Sequence, residues 1–299
     1  MKITEPVTIL SDLHIGHSAG LVNDPEQLAP VFAESSTVIL NGDSVEMLWK
    51  HNRDQARAQL RRLGSVCKRE GARAIFVNGN HDPFVSAINH LDLLDGRMLV
   101  THGDILFHEV APWSREAPII GPQRERFLEA VGDDDALTDF ERQLLAAKWA
   151  SLALEMREPC APTGLFPRVR MLLRETLPPW RVLRIVKFWM ETPSRAAGLA
   201  AMFRPEAKVV VIGHTHYPGV WKRDGRIVIN TGAYLPFSTR LAVQIEDGRI
   251  VVRQVVRRGK DFALGRTRRE IDLGPARVEE ERSPSDRDDA ADVQFPVGR

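Results

Sequence analysis

Carboxylate, amide and imidazole side chains recur in short motifs along this chain of 299 residues. The motifs are Asp12-Leu13-His14, Asn41-Gly42-Asp43 with Glu46, Gly79-Asn80-His81-Asp82, His102-Gly103-Asp104 and Gly213-His214-Thr215-His216. Carboxylates and imidazoles bind borderline divalent cations such as Mn²⁺, Fe²⁺ and Zn²⁺, and a carboxylate can bridge two of them. The neighbouring glycines permit tight turns and a close approach of the backbone to a ligand. The residue types therefore predict a site for two divalent cations.

Each motif directly follows a short apolar run that predicts a buried strand. These runs cover residues 7–10, 37–40, 74–77, 98–101 and 209–212. Between the second and third runs lies an apolar stripe of Ala56, Leu60, Leu63 and Cys67. Its helical spacing predicts an amphipathic helix over residues 54–70. Strands that alternate with helices predict an α/β sandwich, and open α/β sheets place their sites beyond the strand ends. We therefore expect five strand ends to converge on one rim.

The pattern of elements divides the chain into three parts. Strand signals are absent between residues 104 and 205, where Thr138 and Glu141 form a capping box that predicts helices. Beyond this region, Asp224-Gly225 and Asp247-Gly248 separate alternating runs, which predicts hairpins. We assign residues 1–104 and 205–264 to a core and residues 105–204 to a helical insertion. Residues 265–299 are rich in charge and predict a disordered tail.

Composition disfavours several classes of protein. The 41 basic and 40 acidic residues nearly cancel, whereas proteins that hold nucleic acid through many phosphates are usually basic. Two cysteines are too few for a disulfide scaffold or a cysteine-based zinc site, which favours a reducing compartment. No stretch approaches the roughly 20 apolar residues that a bilayer span requires, and no signal peptide is recognisable. We expect a cytoplasmic protein for which nucleic acid is a disfavoured partner.

Taken in order, the five motifs resemble the signature of the calcineurin-like metallophosphoesterases, over residues 7 to about 232. The resemblance implies a four-layer αββα sandwich with a dinuclear metal site. It implies one metal held by Asp12, His14 and His216, a second held by Asn80, His102 and His214, and Asp43 as the bridge between them. Mn²⁺ is the expected metal, with Fe²⁺ and Zn²⁺ as alternatives. The chain departs from the family pattern at Glu46, where aspartate is usual.

The resemblance also implies a mechanism of hydrolysis. Two neighbouring cations lower the pKa of a water that bridges them, and the resulting hydroxide attacks phosphorus. His81 is expected to protonate the leaving oxygen or to steady the charge on phosphate. Asp82 is expected to orient His81, and the alternative is that it caps a helix that begins at Pro83.

The insertion bears on the choice of substrate. Residues 165–204 carry eight basic side chains against two acidic ones, together with several aromatic residues. This segment either forms a cap that holds acyl chains, phosphates and a membrane surface, or it packs its apolar residues onto the core. In the first case Arg181, Arg184 and Trp189 contact the substrate. His17 and His51 follow the motif loops and are further candidates, with solvated loop histidines as the alternative.

An insertion at this place is similar to the lipid-binding cap of UDP-2,3-diacylglucosamine hydrolases, which cleave the pyrophosphate of a lipid A precursor at the membrane. The similarity extends to residues 42–49 and to Asn230-Thr231-Gly232. Those enzymes commonly have arginine in place of His81 and histidine in place of Ile212. We predict a phosphorylated, lipid-linked substrate met at the inner membrane surface. The alternatives are a DNA-repair type nuclease or phosphodiesterase and a phosphatase of small soluble monoesters.

Overall fold

The computed structural model describes residues 3–48, 53–132, 137–153, 180–236 and 238–273. Its strands are β1 (Val7–Leu10), β2 (Thr37–Asn41), β3 (Arg73–Val77), β4 (His90–Leu93), β5 (Met98–Thr101), β6 (Val209–Ile212), β7 (Gly219–Arg223), β8 (Arg226–Asn230), β9 (Arg240–Glu246), β10 (Arg249–Arg258) and β11 (Asp261–Ile271). Its α-helices are α1 (Ala29–Phe32), α2 (Arg53–Arg69), α3 (Ala117–Val131), α4 (Asp139–Leu152) and α5 (Trp180–Phe203), and short 3-10 helices cover Pro25–Leu28 and Asp104–Leu106.

Two mixed sheets form the centre of the molecule. The first has the strand order β11-β10-β9-β1-β2-β3, and the second has the order β4-β5-β6-β8-β7. Strands β1, β2 and β3 are parallel, as are β5, β6 and β8. The apolar runs of β1, β2, β5 and β6 are buried along their whole length, as parallel strands covered on both faces require. Because parallel strands end at the same edge, the residues that follow them share one side of each sheet.

Hydrophobic packing defines four layers, which confirms the predicted αββα architecture. Buried residues such as Ile9, Ile39 and Val211 form one core between the two sheets. On the outer face of the first sheet, Phe32 and Leu63 belong to a core that joins α1 and α2 to it. On the outer face of the second sheet, the core contains Phe140, Leu144, Ala196, Ala197 and Ala200 from α4 and α5.

The insertion therefore supplies the fourth layer of the sandwich, and the two halves of α5 differ in environment. The second half packs on the sheet through its small residues, whereas Val182, Leu183 and Val186 in the first half are 41, 70 and 39 % exposed. The alternative in which Val182, Leu183, Ile185, Val186 and Trp189 pack the insertion onto the core is therefore wrong for these three residues. Ile185 and Trp189 are half-buried, and Trp189 stacks on Tyr217. The capping box of Thr138 and Glu141 begins α4 as predicted.

The two predicted hairpins are present, and the strand β11 extends beyond the point where a disordered tail was predicted to begin. Asp224-Gly225 joins β7 to β8 and Asp247-Gly248 joins β9 to β10, all four residues having positive φ, as type I′ turns require. The tail predicted to begin at residue 265 is wrong for residues 265–271, because β11 pairs with β10 as far as Ile271. The charged residues there lie on the exposed part of an edge strand, where charge opposes further strand pairing. Residues 274–299 lie outside the described residues.

A buried ion pair joins the insertion to the strand end that carries His102. Lys148 of α4 donates to Asp104 Oδ2 at 2.6 Å, and both side chains are fully buried. Burial alone would raise the pKa of Asp104, but the Lys148 ammonium and nearby imidazoles outweigh it and lower that pKa. The pair thus contributes stability above the carboxyl's unfolded-state pKa, and this contribution is lost as the pH falls through the folded-state pKa.

Replacing Lys148 by methionine is expected to lower the free energy of unfolding by about 3–5 kcal/mol, because Asp104 keeps a buried charge without its partner. Urea denaturation at pH 7 measures the change. Lys187→Met is the matched control, since Lys187 is 70 % exposed and pairs with Glu191 on the surface at 3.8 Å. Its expected change is within about 0.5 kcal/mol. Equal stability of the two variants would contradict a structural role for the buried pair.

Candidate active site

The five motifs meet at one edge of the sandwich, each directly after its strand. Asp12 and His14 follow β1, Asp43 follows β2, Asn80 and His81 follow β3, His102 follows β5, and His214 and His216 follow β6. Among the described residues, three groups of side chains have ligand atoms that all lie within 4.8 Å of one another, and the first two share a residue. The first group is Asp12, His14, Asp43 and His216, the second is Asp43, His102 and His214, and the third is His14, Glu46 and His81.

Asp43 belongs to the first and the second group, in keeping with the bridging position that the family resemblance implies. Its Oδ2 lies 3.2 Å from Nε2 of His102 and 3.9 Å from Nε2 of His14. Asn80 belongs with the second group, because its Oδ1 lies 3.1 Å from Nε2 of His102. In the first group, Nε2 of His14 lies 3.0 Å from Nε2 of His216.

Three of the four candidate histidine ligands are anchored through the ring nitrogen that faces away from the cluster. His14 Nδ1 donates to Glu46 Oε1 at 2.7 Å, and His102 Nδ1 donates to the Asn41 carbonyl at 3.0 Å. His214 Nε2 donates to the Val110 carbonyl at 2.8 Å. Such outer hydrogen bonds select the tautomer and the ring orientation that a metal ligand needs.

This tautomer provides a test of whether the side chains fit metal ions. With its proton on Nδ1, neutral His102 presents a lone pair on Nε2 toward oxygens of Asp43 and Asn80. Three lone pairs in a buried pocket need a positive charge between them. Without a metal ion a proton on His102 supplies it: burial opposes the charged ring, but the Asp43 carboxylate outweighs burial and raises the pKa of His102 to about 9. A bound metal ion takes the place of that proton. Carboxylate, amide and imidazole donors suit Mn²⁺, Fe²⁺ or Zn²⁺. The residues present therefore fit two divalent ions.

Five of the seven candidate ligands adopt a left-handed backbone conformation that non-glycine residues rarely occupy. They are Asp12, His14, Asp43, His214 and His216, with φ between 48° and 65°. Hydrogen bonds from neighbouring loops hold these conformations, including those from His14 N to the Asp43 carbonyl and from His214 N to Asp12 Oδ1. Strained backbone of this kind persists only where the surroundings determine it, and it clusters at functional sites.

His81 lies at the edge of the first group, with its ring 5.0 Å from that of His14. Its Nδ1 donates to Glu46 Oε2 at 2.8 Å, so the Glu46 carboxylate holds the rings of both His14 and His81. Burial opposes the charged form of His81, but the carboxylates of Glu46 and Asp43 outweigh it and raise its pKa to about 10. The side chain is 24 % exposed, which leaves its Nε2 edge as the part that a substrate can reach.

Asp82 has a different role from the one predicted. Its Oδ1 accepts the backbone N–H groups of Asp43 and Gly79, both at 2.9 Å, and its Oδ2 accepts that of Ser44 at 2.7 Å. Asp82 thus ties the loop after β3 to the loop after β2, while Glu46 makes the predicted contact with the His81 ring. The helix-cap alternative is also wrong, because residues 83–89 form turns and bends.

The candidate substrate residues are placed as follows. The half-buried His17 ring lies 6.0 Å from that of His14, and burial is the main cause that lowers its pKa to about 4. Arg184 lines a cavity together with Trp113, and Trp189 donates to the Thr215 carbonyl between two candidate ligands. His51 and the side chain of Arg181 lie outside the described residues.

Sequence reasoning missed two contributions of the insertion to this site. The carbonyl of Val110 anchors His214, and the ring of Trp113 lies 5.2 Å from that of His214. A backbone carbonyl carries no signal in the sequence, since any residue type supplies one. The aromatic residue was the available signal, but its spacing gave no indication of which loop it contacts.

A two-sheet sandwich with these donor groups at the strand ends defines a metal-dependent phosphoester hydrolase. The family model for calcineurin-like phosphoesterases matches residues 5–218, well over half of the chain. The chain belongs to this family and is a hydrolase. None of the curated proteins matches it in sequence.

Solved structures of phosphoesterases resemble the chain at low sequence identity. A predicted phosphoesterase from Streptococcus pneumoniae is 14 % identical, with 91 % of this chain and 99 % of that chain covered and a TM-score of 0.37. A dimetal phosphatase from Danio rerio is 11 % identical, with 87 and 99 % covered and a TM-score of 0.42. Yfce, a phosphoesterase from E. coli, is 14 % identical, with 90 and 99 % covered and a TM-score of 0.39.

Replacing Glu46 by glutamine is expected to lower kcat/KM by about 10–100-fold. His14 and His81 bind different oxygens of the Glu46 carboxylate, and glutamine replaces one of these oxygens by an NH₂ group, which cannot accept a ring N–H. The pH profile should change as well. Without the carboxylate the pKa of His81 falls from about 10, so its imidazolium is lost at lower pH and the alkaline limb moves down. Steady-state rates from about pH 6 to about pH 11 measure both effects, because this range covers the ordinary pKa of histidine and the raised pKa of His81.

The control for this variant is Glu34→Gln, a glutamate 45 % exposed that pairs with Arg253 on the surface. It should leave the rate and the alkaline limb in place. An alkaline limb at the same pH in Glu46→Gln and wild type would show that Glu46 does not hold the proton on His81.

Proposed function

We propose that this hydrolase cleaves a phosphoester or pyrophosphate bond in a lipid-linked substrate, of which UDP-diacylglucosamine is the representative. The observation that carries the proposal is the place of the insertion. Trp113 and Arg184 of the insertion line a cavity, and the ring of Trp113 also lies 5.2 Å from that of the candidate ligand His214. The apolar residues Leu183 and Val186, close to Arg184 in α5, are exposed. Phosphate recognition and acyl-chain contact are the two properties that such a substrate demands.

The proposed cofactor is a pair of Mn²⁺ ions. Asp12, His14 and His216 would hold one ion, Asn80, His102 and His214 the other, and Asp43 would contact both. When bound, such ions polarise the phosphoryl oxygens and lower the pKa of a water molecule between them. A set of carboxylate, amide and imidazole ligands without thiolates suits Mn²⁺.

His81 is the proposed proton donor to the leaving oxygen. In the metal-free protein a pKa of about 10 keeps the ring of His81 protonated at neutral pH. Because Glu46 binds Nδ1, Nε2 is the ring nitrogen left for a substrate. A positioned imidazolium can transfer its proton as the phosphorus–oxygen bond breaks, and its charge also stabilises the phosphoryl oxygens. Proton donation matters most for the alkoxide leaving group of an ordinary phosphoester. The phosphate leaving group of a pyrophosphate is weakly basic and needs little protonation, so for that bond the charge of the imidazolium is the main contribution.

The cavity lined by Trp113, Arg115 and Arg184 has the size for a phosphorylated group. Its volume is about 390 Å³, within the range of about 300–1,000 Å³ for small-molecule sites. Arg115 and Arg184 lie on its wall together with Trp113, whose ring also faces His214. The planar guanidinium group matches phosphate oxygens in pairs. Two arginines against the single acidic side chain of Glu109 give the lining a net positive charge, which favours an anionic group.

The first half of α5 offers a surface for a lipid or a membrane. Leu183 and Met190 are 70 and 72 % exposed, and the cationic Arg184 and Lys187 lie between them in sequence. In the part of the chain that is described, no helix is both long and apolar enough to cross a bilayer. We therefore propose that α5 makes peripheral contact with the inner membrane from the cytoplasmic side.

Hydrolysis of UDP-2,3-diacylglucosamine by the Mn²⁺-loaded protein, with UMP release as the readout, tests the substrate. Metal-dependent UMP release that Asp43→Asn lacks would support the proposal. Arg184→Gln should then raise KM by about tenfold, equivalent to about 1.4 kcal/mol, while the exposed Arg223→Gln should not. Turnover of bis(4-nitrophenyl) phosphate without UMP release would favour the phosphodiesterase alternative, and turnover of 4-nitrophenyl phosphate alone would favour a phosphatase of small monoesters.

Cosedimentation with vesicles tests the membrane contact. Binding to vesicles that contain phosphatidylglycerol is expected to exceed binding to neutral phosphatidylcholine vesicles, because Arg184 and Lys187 flank the apolar face. Leu183→Ser combined with Met190→Ser should abolish binding. Ile119→Ser, which alters an exposed apolar residue of α3, should not. Negligible sedimentation of the wild type with both vesicles would refute the contact.

A further inference from the structure

Helix α5 contacts the loop between β6 and β7, which contains two candidate metal ligands. Trp189 Nε1 donates to the Thr215 carbonyl at 2.9 Å. The Trp189 ring stacks on that of Tyr217 with a centroid distance of 4.9 Å and an interplanar angle of 8°. The other neighbour in this stack is Trp221, whose ring lies 5.7 Å from that of Tyr217. The insertion therefore holds the loop on both sides of His216.

The hydrogen bond from Trp189 fixes a peptide group next to a residue with an unfavourable backbone conformation. The Thr215 carbonyl belongs to the peptide unit that ends at the nitrogen of His216, and His216 has a φ of 55°. Fixing the plane of that peptide fixes the starting point from which the His216 side chain reaches the cluster. A left-handed non-glycine residue requires such outside support, since its conformation is unfavourable by itself.

The insertion supports the neighbouring ligand in the same way. The Val110 carbonyl accepts the Nε2 proton of His214 at 2.8 Å, and Val110 itself has a φ of 60°. A positive φ is a clear outlier for a β-branched residue, so the segment is held in an unfavourable conformation that presents this carbonyl. The two ligands of the last motif thus each depend on a contact from the insertion.

We infer that the helical insertion is a positioning element of the metal centre, and that Trp189 is a positioning residue for His216. The inference rests on the proposed metal ligation by His216. It gives Trp189 a role other than the substrate contact expected from the sequence, because its only polar group is used on the Thr215 carbonyl. The indole N–H, and not only the ring, is required for that role.

Titration of metal-free protein with Mn²⁺ by calorimetry tests this role. Trp189→Phe retains an aromatic ring for stacking but removes the N–H donor. It is expected to weaken one of the two Mn²⁺ sites about tenfold, the usual loss when an outer hydrogen bond to a metal site is removed. The other site should keep its affinity. At two equivalents of Mn²⁺, the electron paramagnetic resonance signal of a coupled manganese pair should decrease in favour of that of single ions.

Trp221→Phe is the matched control, since it makes the same substitution in the same aromatic stack without a bond to Thr215. It should bind both ions like the wild type. Unchanged affinities in Trp189→Phe would overturn the inference, as would an equal loss in Trp221→Phe, which would assign the effect to packing. Failure of the wild type to bind two Mn²⁺ ions would refute the proposed metal centre itself and the inference with it.

Discussion

Replacing Asp43 by asparagine is expected to remove nearly all Mn²⁺-dependent hydrolysis. The Asp43 carboxylate is the group shared by both clusters, with Oδ2 near the ring nitrogens of His102 and His14. An amide of the same shape has no charge to offer two cations. A loss of about 4 kcal/mol of transition-state stabilisation corresponds to a rate reduction of roughly 10³-fold. Steady-state kcat/KM with bis(4-nitrophenyl) phosphate measures it, and calorimetric titration should show weakened Mn²⁺ binding.

The fold should tolerate this change, which makes the loss of activity interpretable. Asp43 Oδ1 accepts the backbone N–H of His81 at 2.8 Å, and an amide oxygen can accept the same bond. The urea unfolding midpoint should therefore stay near that of the wild type. Asp54→Asn, a substitution at a fully exposed carboxylate, is the control that should retain full activity. More than about a tenth of the wild-type rate in Asp43→Asn would contradict a shared metal ligand.

The rim of candidate ligands could be predicted from the sequence because the reasoning needed only strand ends. Runs such as residues 7–10 and 37–40 are too apolar for any position but the middle of a covered sheet, and parallel neighbours end at the same edge. The residues that directly follow these strands are therefore close in space. The motif residues could therefore be assigned to one edge of the sandwich without knowing any distance between them.

The contacts within the rim could not be predicted in this way. Glu46 and Asp82 are both acidic residues in motif loops, and only the paths of the loops determine that Glu46 reaches the His81 ring while Asp82 accepts backbone amides. The Val110 carbonyl and the left-handed conformations of the ligands are properties of the main chain. They arise from how loops from distant parts of the sequence pack, and no side-chain pattern records them.

Charge patterns misled for a related reason. A run of charge after residue 265 has the composition of a disordered tail, yet backbone pairing with β10 continues to Ile271, because an edge strand can expose its charged side chains. In the insertion, the apolar residues of α5 have one periodicity, but the second half packs on the sheet, whereas Val182, Leu183 and Val186 in the first half face solvent. Periodicity identifies a helix face without indicating whether another element covers it.

Replacing His81 by glutamine is expected to separate proton donation from metal binding. If His81 protonates the leaving oxygen, kcat should fall by about 10²–10⁴-fold for a substrate with an alkoxide leaving group. The loss should be much smaller for 4-nitrophenyl esters, because nitrophenolate leaves without a proton. Binding of two Mn²⁺ ions should persist, since the proposed ligands are unchanged. Rates for paired alkyl and nitrophenyl diesters, with Mn²⁺ titrations of both proteins, measure these effects.

The pH profile gives an independent outcome for the same variant. The carboxylates of Glu46 and Asp43 raise the pKa of His81 to about 10 in the metal-free protein, and bound cations oppose this shift. The wild type should therefore lose activity as the imidazolium deprotonates at or below that pH. This limb should be absent from His81→Gln, whereas His108→Gln, at a half-exposed histidine paired with Glu125, should retain it. Equal losses on both leaving groups would refute general acid catalysis and leave His81 the role of stabilising phosphoryl charge, because that role acts on every ester whatever its leaving group.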